Sequence, residues 1–501
     1  MKNPPRQFSS LLQDAATKRN SLASMPSSAV AIGLFSICSG HAFAGEASSE
    51  STPLSSPAPI VVPTDPGAQL TPEQGRAYYD RFVTGDWGGF RTQLHNRGID
   101  FNLDYFGEMA GDLHGGKDHF SGYPKGLGQS WSYDDQALFG VDLDFQKLVG
   151  WEGGSLQAYF TKRSGDSLGQ YSNPAPLQQV QEVYGRGQTW RVTSLWFKQK
   201  FFGDVLEWKL GLIPIGQDFG NFYKVPFENL TFTAGTTGNV AGYSQFNWPV
   251  SQWGTDLKIN FTRTLAVKIG VLAFNDYWIS SDYYLRVDNP GGTSGALIPV
   301  EINWTPKLHI FGKDLPGEWN FTIYGNTNNH ETTGAAKSVL ASAPGVAPNL
   351  LGSRFTGDYG YAASIWQQVT APDPNRPKTG LTLFASNTWA DPRTALQNLQ
   401  AFAGAYYYGP WSKRPYDSCG IAWGYNHVAG AVQNAERQFI RTHPKSGFAV
   451  QSDEYVGEIF YSFDLYHGWN VQPDLQYITN PGGYHGATNQ LVFGVQLNVP
   501  F

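Results

Sequence analysis

The sequence predicts an all-β chain: a transmembrane antiparallel β-barrel of about sixteen strands, preceded by a short N-terminal helical segment. Three observations predict it. First, in the stretch 491–501 every second residue is apolar (Leu491, Phe493, Val495, Leu497, Val499, Phe501), while Gln490, Gly494, Gln496 and Asn498 alternate with them. Side chains alternate across a strand, so this segment has one greasy and one mostly polar face. Second, aromatics make up 15% of the chain and charged residues only 15%, with 57 Gly. That suits a β wall with aromatic belts, whereas a disordered chain would lack the rings. Third, the connections between strand-like stretches run mostly long, short, long, short, the rhythm of a barrel with short periplasmic turns and long outer loops.

Lys2, Arg6, Lys18 and Arg19 precede a short apolar run, Ala29 to Ile37, and Ala42-Phe43-Ala44 is a small-x-small cleavage pattern. Residues 1–44 therefore read as a signal peptide cut after Ala44. Cys38 lies in its apolar region, after an Ile37 too bulky for a lipoprotein signal. Removing the peptide leaves Cys419 alone, so no intramolecular disulfide and no cysteine metal cluster are expected. The mature balance is then 31 basic against 40 acidic side chains, which argues against a nucleic-acid partner. No stretch reaches the roughly 18–20 apolar residues of a membrane-spanning helix, so a membrane location requires a closed barrel.

Residues 45–71 are rich in Ser, Pro and Ala and read as a flexible linker. Residues 72–98 read as a short helical periplasmic segment. Gly75 to Phe82 is helical in pattern, Asp86 is an N-cap for a second helix carrying Phe90 and Leu94 on one face, and Gly98 is its C-cap. Residues 99–501 read as the barrel. The strands are expected to begin near Ile99, Gln136, Gly154, Thr189, Val205, Ser251, Leu265, Ala296, Gly317, Gly357, Thr379, Leu399, Ser418, Ser452, Trp469 and Ala487.

Catalytic signatures are missing: no HExxH, no GxSxG elbow and no phosphate-binding glycine loop. The histidines are scattered, so neither a metal nor another cofactor is expected. Glu454 and Glu458 form a carboxylate pair on one strand face, but four residues along a strand separate them by about 13 Å. Glycosidase pairs sit about 5–9.5 Å apart. Parity instead gives a wet lumen wall: Asn102, Asp104 and Glu108 on the first expected strand, Glu454 and Glu458 on the fourteenth, and Gln472, Asp474 and Gln476 on the fifteenth. The connection 216–250 is the most site-like stretch. Folded inward, it would narrow the pore and present Phe219, Phe222, Tyr223, Phe246 and Trp248 beside Gln217, Asp218, Asn221 and Asn247. Aromatic faces and planar polar groups together suit a sugar ring, whose CH face stacks while its hydroxyls bond in the plane.

Four stretches resemble the OprB-type carbohydrate-selective porin family. They are GDWGGFRTQLHNRGIDFNLDYFGE (Gly85–Glu108), KLGLIPIGQDF (Lys209–Phe219), EYVGEIFY (Glu454–Tyr461) and VQPDLQYITNPGG (Val471–Gly483). The resemblance implies a sixteen-stranded outer-membrane barrel passing small carbohydrates by facilitated diffusion, through a constriction lined by charged and aromatic side chains. It also implies outer-membrane lipid as surroundings, and the barrel-assembly machinery as a partner through Phe501. Many members carry an arginine where this chain has Leu212, with Arg91 and Arg191 as the remaining basic candidates. The competing readings are a general, non-selective porin, a secreted glycan-binding or glycan-active β protein, and a closed barrel serving adhesion or anchoring.

Overall fold

Thr71 starts the first regular element. Its hydroxyl accepts from Gln74 N–H while the Gln74 side chain returns to the Thr71 N–H, a capping box with Pro72 in the first turn. Helix α1 (Pro72–Tyr79) therefore starts three residues before the apolar pattern shows it. Helix α2 (Phe90–Asn96) follows. The Asp86 carboxylate accepts from both Thr92 N–H (2.8 Å) and Thr92 Oγ1 (2.7 Å), holding the approach to that helix. Gly98, at φ 87°, turns the chain into the sheet, where a side chain would press on the Asp144 carbonyl. The computed structural model describes residues 69–121, 130–220, 226–233, 248–331, 354–465 and 468–501.

The strands are β1 (Ile99–His114), β2 (Trp131–Asp144), β3 (Gly154–Gly165), β4 (Trp190–Phe201), β5 (Leu206–Ile213), β6 (Gln252–Asn260), β7 (Leu265–Phe274) and β8 (Gly295–Trp304). They continue as β9 (Lys307–Ile310), β10 (Lys313–Glu331), β11 (Arg354–Gln368), β12 (Gly380–Ala390), β13 (Gln397–Tyr408), β14 (Ser418–Val428), β15 (Asp453–Asp464), β16 (Asn470–Thr479) and β17 (Gln490–Pro500). Each spanning strand pairs antiparallel with its chain neighbours, and β17 pairs back onto β1 (Glu108 opposite Gln496), so sixteen strands close a barrel. The seventeenth, β9, is a four-residue strand hairpinned onto the start of β10; it is too short for a period to reveal. Strand β2 begins at Trp131, ahead of the expected Gln136. Its first residues alternate Trp131 and Tyr133 outward with Ser132 and Asp134 inward, and the buried acid masks the pattern.

The burial pattern is inside out. Glu108, Asp134, Glu454 and Gln476 are fully buried on the inner face, while Phe139, Leu210, Ile302, Phe321, Ile421 and Ile459 are exposed on the outer one. Aromatic pairs ring both ends of that outer face. Phe145, Trp151 and Phe197 cluster, and Trp304 meets Trp319 at 5.2 Å, at the rim holding the first and last residues of the barrel. Tyr359 meets Trp389 at 5.6 Å, and Trp131 meets Phe493, at the far rim. Such girdles mark the two membrane interfaces of a barrel.

Because the strands are staggered, laterally paired inner residues descend as they pass round the wall. One unbroken row runs Glu454, Asn426, Gln400, Thr388, Ala362, Thr322, Glu301, Lys268, Lys258, Glu207, Lys200. It starts at the far rim on β15 and ends at the opposite rim on β4.

Candidate functional site

The sheet encloses a polar lumen, and its wall divides into two chemistries. Across β4 to β8 it is an ionic ladder. Lys258 pairs with Glu207 at 3.0 Å, Lys268 with Glu301 at 2.9 Å, and Lys209 with Asp218 at 2.5 Å. Lys209 Nζ also lies 4.6 Å from the Trp196 ring centre, and Lys198 Nζ lies 5.7 Å from it. Cations over an indole face are attracted by its quadrupole. Glu301 additionally accepts from Thr322 Oγ1 and from the Gly220 N–H at 2.6 Å, tying the start of the 216–250 connection to the ladder.

On the β15, β16, β17 and β1 side the wall is acidic and amide-rich, and these groups hold peptide. Glu458 accepts the N–H of Glu228 (2.7 Å) and of Asn229 (2.9 Å) on its two oxygens. Gln472 donates to Pro226 O, and Asn229 donates to Gln476 Oε1. Glu454 accepts from Leu177 N–H (2.7 Å) and Gly482 N–H (2.8 Å), and Glu108 from Val183 N–H (2.9 Å). Gln476 donates to Val180 O and to Asp474. Two connections therefore reach into the barrel, 166–189 and, from the 216–250 connection, residues 226–233, and the wall carboxylates replace the water their peptide N–H groups would otherwise need. The Asp474 and Glu228 carboxylates meet over Gly494, where a Cβ would overlap Asp474 Oδ2 and lie 2.6 Å from Glu228 Oε2. Phe227 and Phe232 fill the space between these anchors, packing on Phe384, Phe402 and Phe460 of the wall.

The expected site residues are thus sorted by the fold. Glu108, Glu454, Glu458, Asp474 and Gln476 stand on the inner face, as alternation requires, but at most 3% exposed and bonded to the inner connections. Asp104 is half-buried on the same face near the terminal rim. Gln217 and Asp218 sit in the turn after β5, with Asp218 committed to Lys209. Asn221 and Tyr223 lie outside the described residues, as do Phe222, Phe246 and Asn247. Phe219 is 1% exposed in a core with Trp196, Leu272 and Leu297, so its ring packs against the wall and not against a solute. Trp248 is 4% exposed between Leu138 and Tyr159, and its Nε1–H donates to Gln136.

Arg191 does not present its guanidinium to the pore. It donates to the carbonyls of Arg186, Trp278, Ile279 and Ser280, stapling two connections at the far rim. Arg91 likewise is no pore residue: it sits in α2 and donates to the main-chain oxygens of Phe501 and Phe101, 3.0 Å each. Leu212 pairs with Leu195 and Trp253 on the outward face and lines a recess with Arg191, Val250, Trp278 and Tyr283. Its side chain is therefore remote from the lumen wall. Sequence reasoning misses the inward course of 166–189; Leu177, Val180 and Val183, spaced by three among Gln178, Gln179 and Gln181, are the signal that could have found it. Among the described residues no group of three or more His, Cys, Asp or Glu is arranged to hold a metal ion, and no helix is long and apolar enough to cross a membrane.

Residues 128–501 match the family described as carbohydrate-selective porin, OprB family. The chain is 34% identical over 434 residues to Porin B of Pseudomonas aeruginosa, covering 84% of this chain and 91% of that one. Among solved structures it is similar to the high-pH structure of Pseudomonas putida OprB, with TM-score 0.76 at 33% identity, covering 84% of this chain and 99% of that one. The low-pH structure of the same protein aligns with TM-score 0.52 at 28% identity, over 84% and 98% of the two chains. An inside-out sixteen-strand barrel, girdled by aromatics and narrowed by two inner connections, belongs by sequence and by shape to the OprB family of carbohydrate-selective porins of the bacterial outer membrane.

Proposed function

We propose that the channel passes small neutral sugars by passive, facilitated diffusion, with choice made where the inner connections narrow the lumen between the ionic ladder and the acidic wall. The observation that carries this reading is the anchoring of Glu228 and Asn229 on Glu458: a connection whose two adjacent N–H groups are held by one carboxyl keeps a fixed bore. The ladder lysines and carboxylates, set beside hydroxyls and amides, offer bonding to sugar hydroxyls at many weak points, and weak multi-site contact permits release. The rim bearing Ile99 and Pro500 faces the periplasm in this reading, and lipid surrounds the exposed apolar band.

Liposomes carrying the protein should swell faster in glucose or xylose than in amino acids of matched size. Equal rates for both would reduce the protein to a general porin. A barrel that conducts neither ions nor sugars would instead be a closed one.

A further inference from the structure

The ionic ladder of β4 to β8 holds one ammonium with no counter-charge of its own. Lys198 stands on the inner face of β4, close to where that strand ends at the terminal rim. The ladder groups around it are committed elsewhere. Lys209 holds Asp218 at 2.5 Å, Lys200 holds Asp204 at 3.3 Å, and Glu207 holds Lys258 at 3.0 Å while accepting from Asn260 Nδ2. Among the described residues Lys198 makes no ion pair and no hydrogen bond. Its Nζ lies 5.7 Å from the Trp196 ring centre, a cation–π contact that uses none of its N–H donors. Other donors at this spot also lack an acceptor. The Trp196 Nε1–H has no hydrogen-bond partner, and neither has the hydroxyl of Ser155, which stands laterally opposite Lys198 on β3.

The charged groups that face Lys198 are Glu207, Lys209, Lys200 and Asp218. Two positive and two negative charges cancel, so Lys198 leaves the patch with a single surplus positive charge. Lys198 is half-buried, and an ammonium in that position costs free energy unless water or an anion meets its donors. One surplus charge matches one carboxylate. A phosphate dianion would set its second charge against Glu207 and Asp218 with nothing to offset it. Hydroxyls on the same solute find partners next door, because the Lys200 and Asp204 side chains are each 33% exposed and offer donors and acceptors together.

We propose that Lys198 receives the carboxylate of a sugar acid, a polyhydroxylated monoanion, in a subsite on the terminal side of the constriction, with Ser155, Lys200 and Asp204 meeting its hydroxyls. The assignment extends the sugar-channel reading above from neutral sugars to their singly charged acids and rests on it. The wall then serves two kinds of solute: neutral sugars meet paired charges all along the ladder, and an acid meets one unpaired cation near its end.

The test is planar-bilayer recording of the full-length protein, with glucose or gluconate added to one side at a time at constant ionic strength. The readout is the half-blocking concentration of each solute. Lys198→Gln should raise that of gluconate about three- to ten-fold, the size of one charge-assisted hydrogen bond on a wet wall, and leave that of glucose within about two-fold. Lys198→Arg keeps the charge and should stay close to wild type. Raising the salt from 0.1 to 1 M, which shortens the screening length from about 10 to about 3 Å, should weaken gluconate block and spare glucose block. An unchanged gluconate value in Lys198→Gln overturns the subsite. So does an equal shift for both solutes, which a change of bore would produce. A wild-type channel that conducts ions but shows no glucose effect from either side overturns the sugar-channel reading, whatever gluconate does. Heat-modifiable migration on gels confirms that each variant has folded, and if Lys198→Gln fails that check, Lys198→Met, which keeps the aliphatic stem, carries the same expectations.

Discussion

Replacing Arg91 by alanine should unfasten the N-terminal segment from the barrel's closing seam. Arg91 is 3% exposed. Its guanidinium reaches the main-chain oxygens of Phe101, at the start of the sheet, and Phe501, at its end, 3.0 Å each. The rings of Phe82, Tyr79 and Trp87 surround it at 4.4, 4.5 and 5.3 Å. Truncation strands two oxygens, at about 1–3 kcal/mol each, and removes a caged cation–π contact of about 1–2 kcal/mol. Against this, burial already holds the Arg91 pKa below the usual arginine value, so some desolvation cost is recovered on truncation. The net is a loss of about 3–4 kcal/mol, or roughly two to three decades in local opening. Hydrogen exchange on the folded protein in detergent reads it directly. The Val83 N–H, bonded to Pro500 O at 3.0 Å, should lose about a hundred-fold protection or more, while amides in the middle of β12 stay protected. Arg91→Lys keeps a cation among the rings but cannot fork to both oxygens, so its loss should be intermediate. Protection at Val83 unchanged within a factor of three in Arg91→Ala would refute the clamp.

Other consequences follow from the anchors. Glu458→Gln turns an amide donor toward one of two peptide N–H groups, at a cost of about 2 kcal/mol, so the 226–233 segment should loosen. Single-channel currents should become larger and noisier, and a quiet current of wild-type size would count against the anchoring role. Glu436, 2% exposed in the helix Gly430–Thr442, accepts from Gln451 N–H, yet burial pushes its carboxyl up to about 7, against a pull downward from that bond and from Arg437. The folded protein thus holds this proton more tightly than the unfolded chain. The contribution is complete below about 4.5 and is lost as pH rises through about 7. Protease cleavage in 443–447 should accordingly be slower at pH 5 than at pH 8, once corrected for the enzyme's own pH profile, and Glu436→Gln should flatten the difference.

How far the sequence carries can be judged residue by residue. Period-two alternation places Glu108, Gln472, Asp474 and Gln476 on the inner face, because that property is local to a strand. What those groups touch is not local. Glu454 takes the Leu177 N–H from 277 positions away, and Glu458 takes Glu228 N–H from 230. No spacing rule reports such a contact, so residues that alternation offers as solute contacts turn out to bind peptide. Leu212 stands out through the resemblance alone, although alternation with the inward Lys209 and Gly211 puts it on the outward face.

The ionic row of β4 to β8 bears on how faithfully the wall assembles. Sliding one strand by a single residue would turn its polar set to lipid, and hydropathy alone forbids that. A slide by two keeps every face correct, and a wall of plain alternation would accept it. Here it would set Glu301 opposite Ala266 and Lys268 opposite Pro299, leaving each charge on the lumen face without its partner. The same mismatch would recur at Lys258 and Glu207. The charges that greet the solute thus double as a key that admits one alignment of neighbouring strands and rejects its nearest even-numbered rivals.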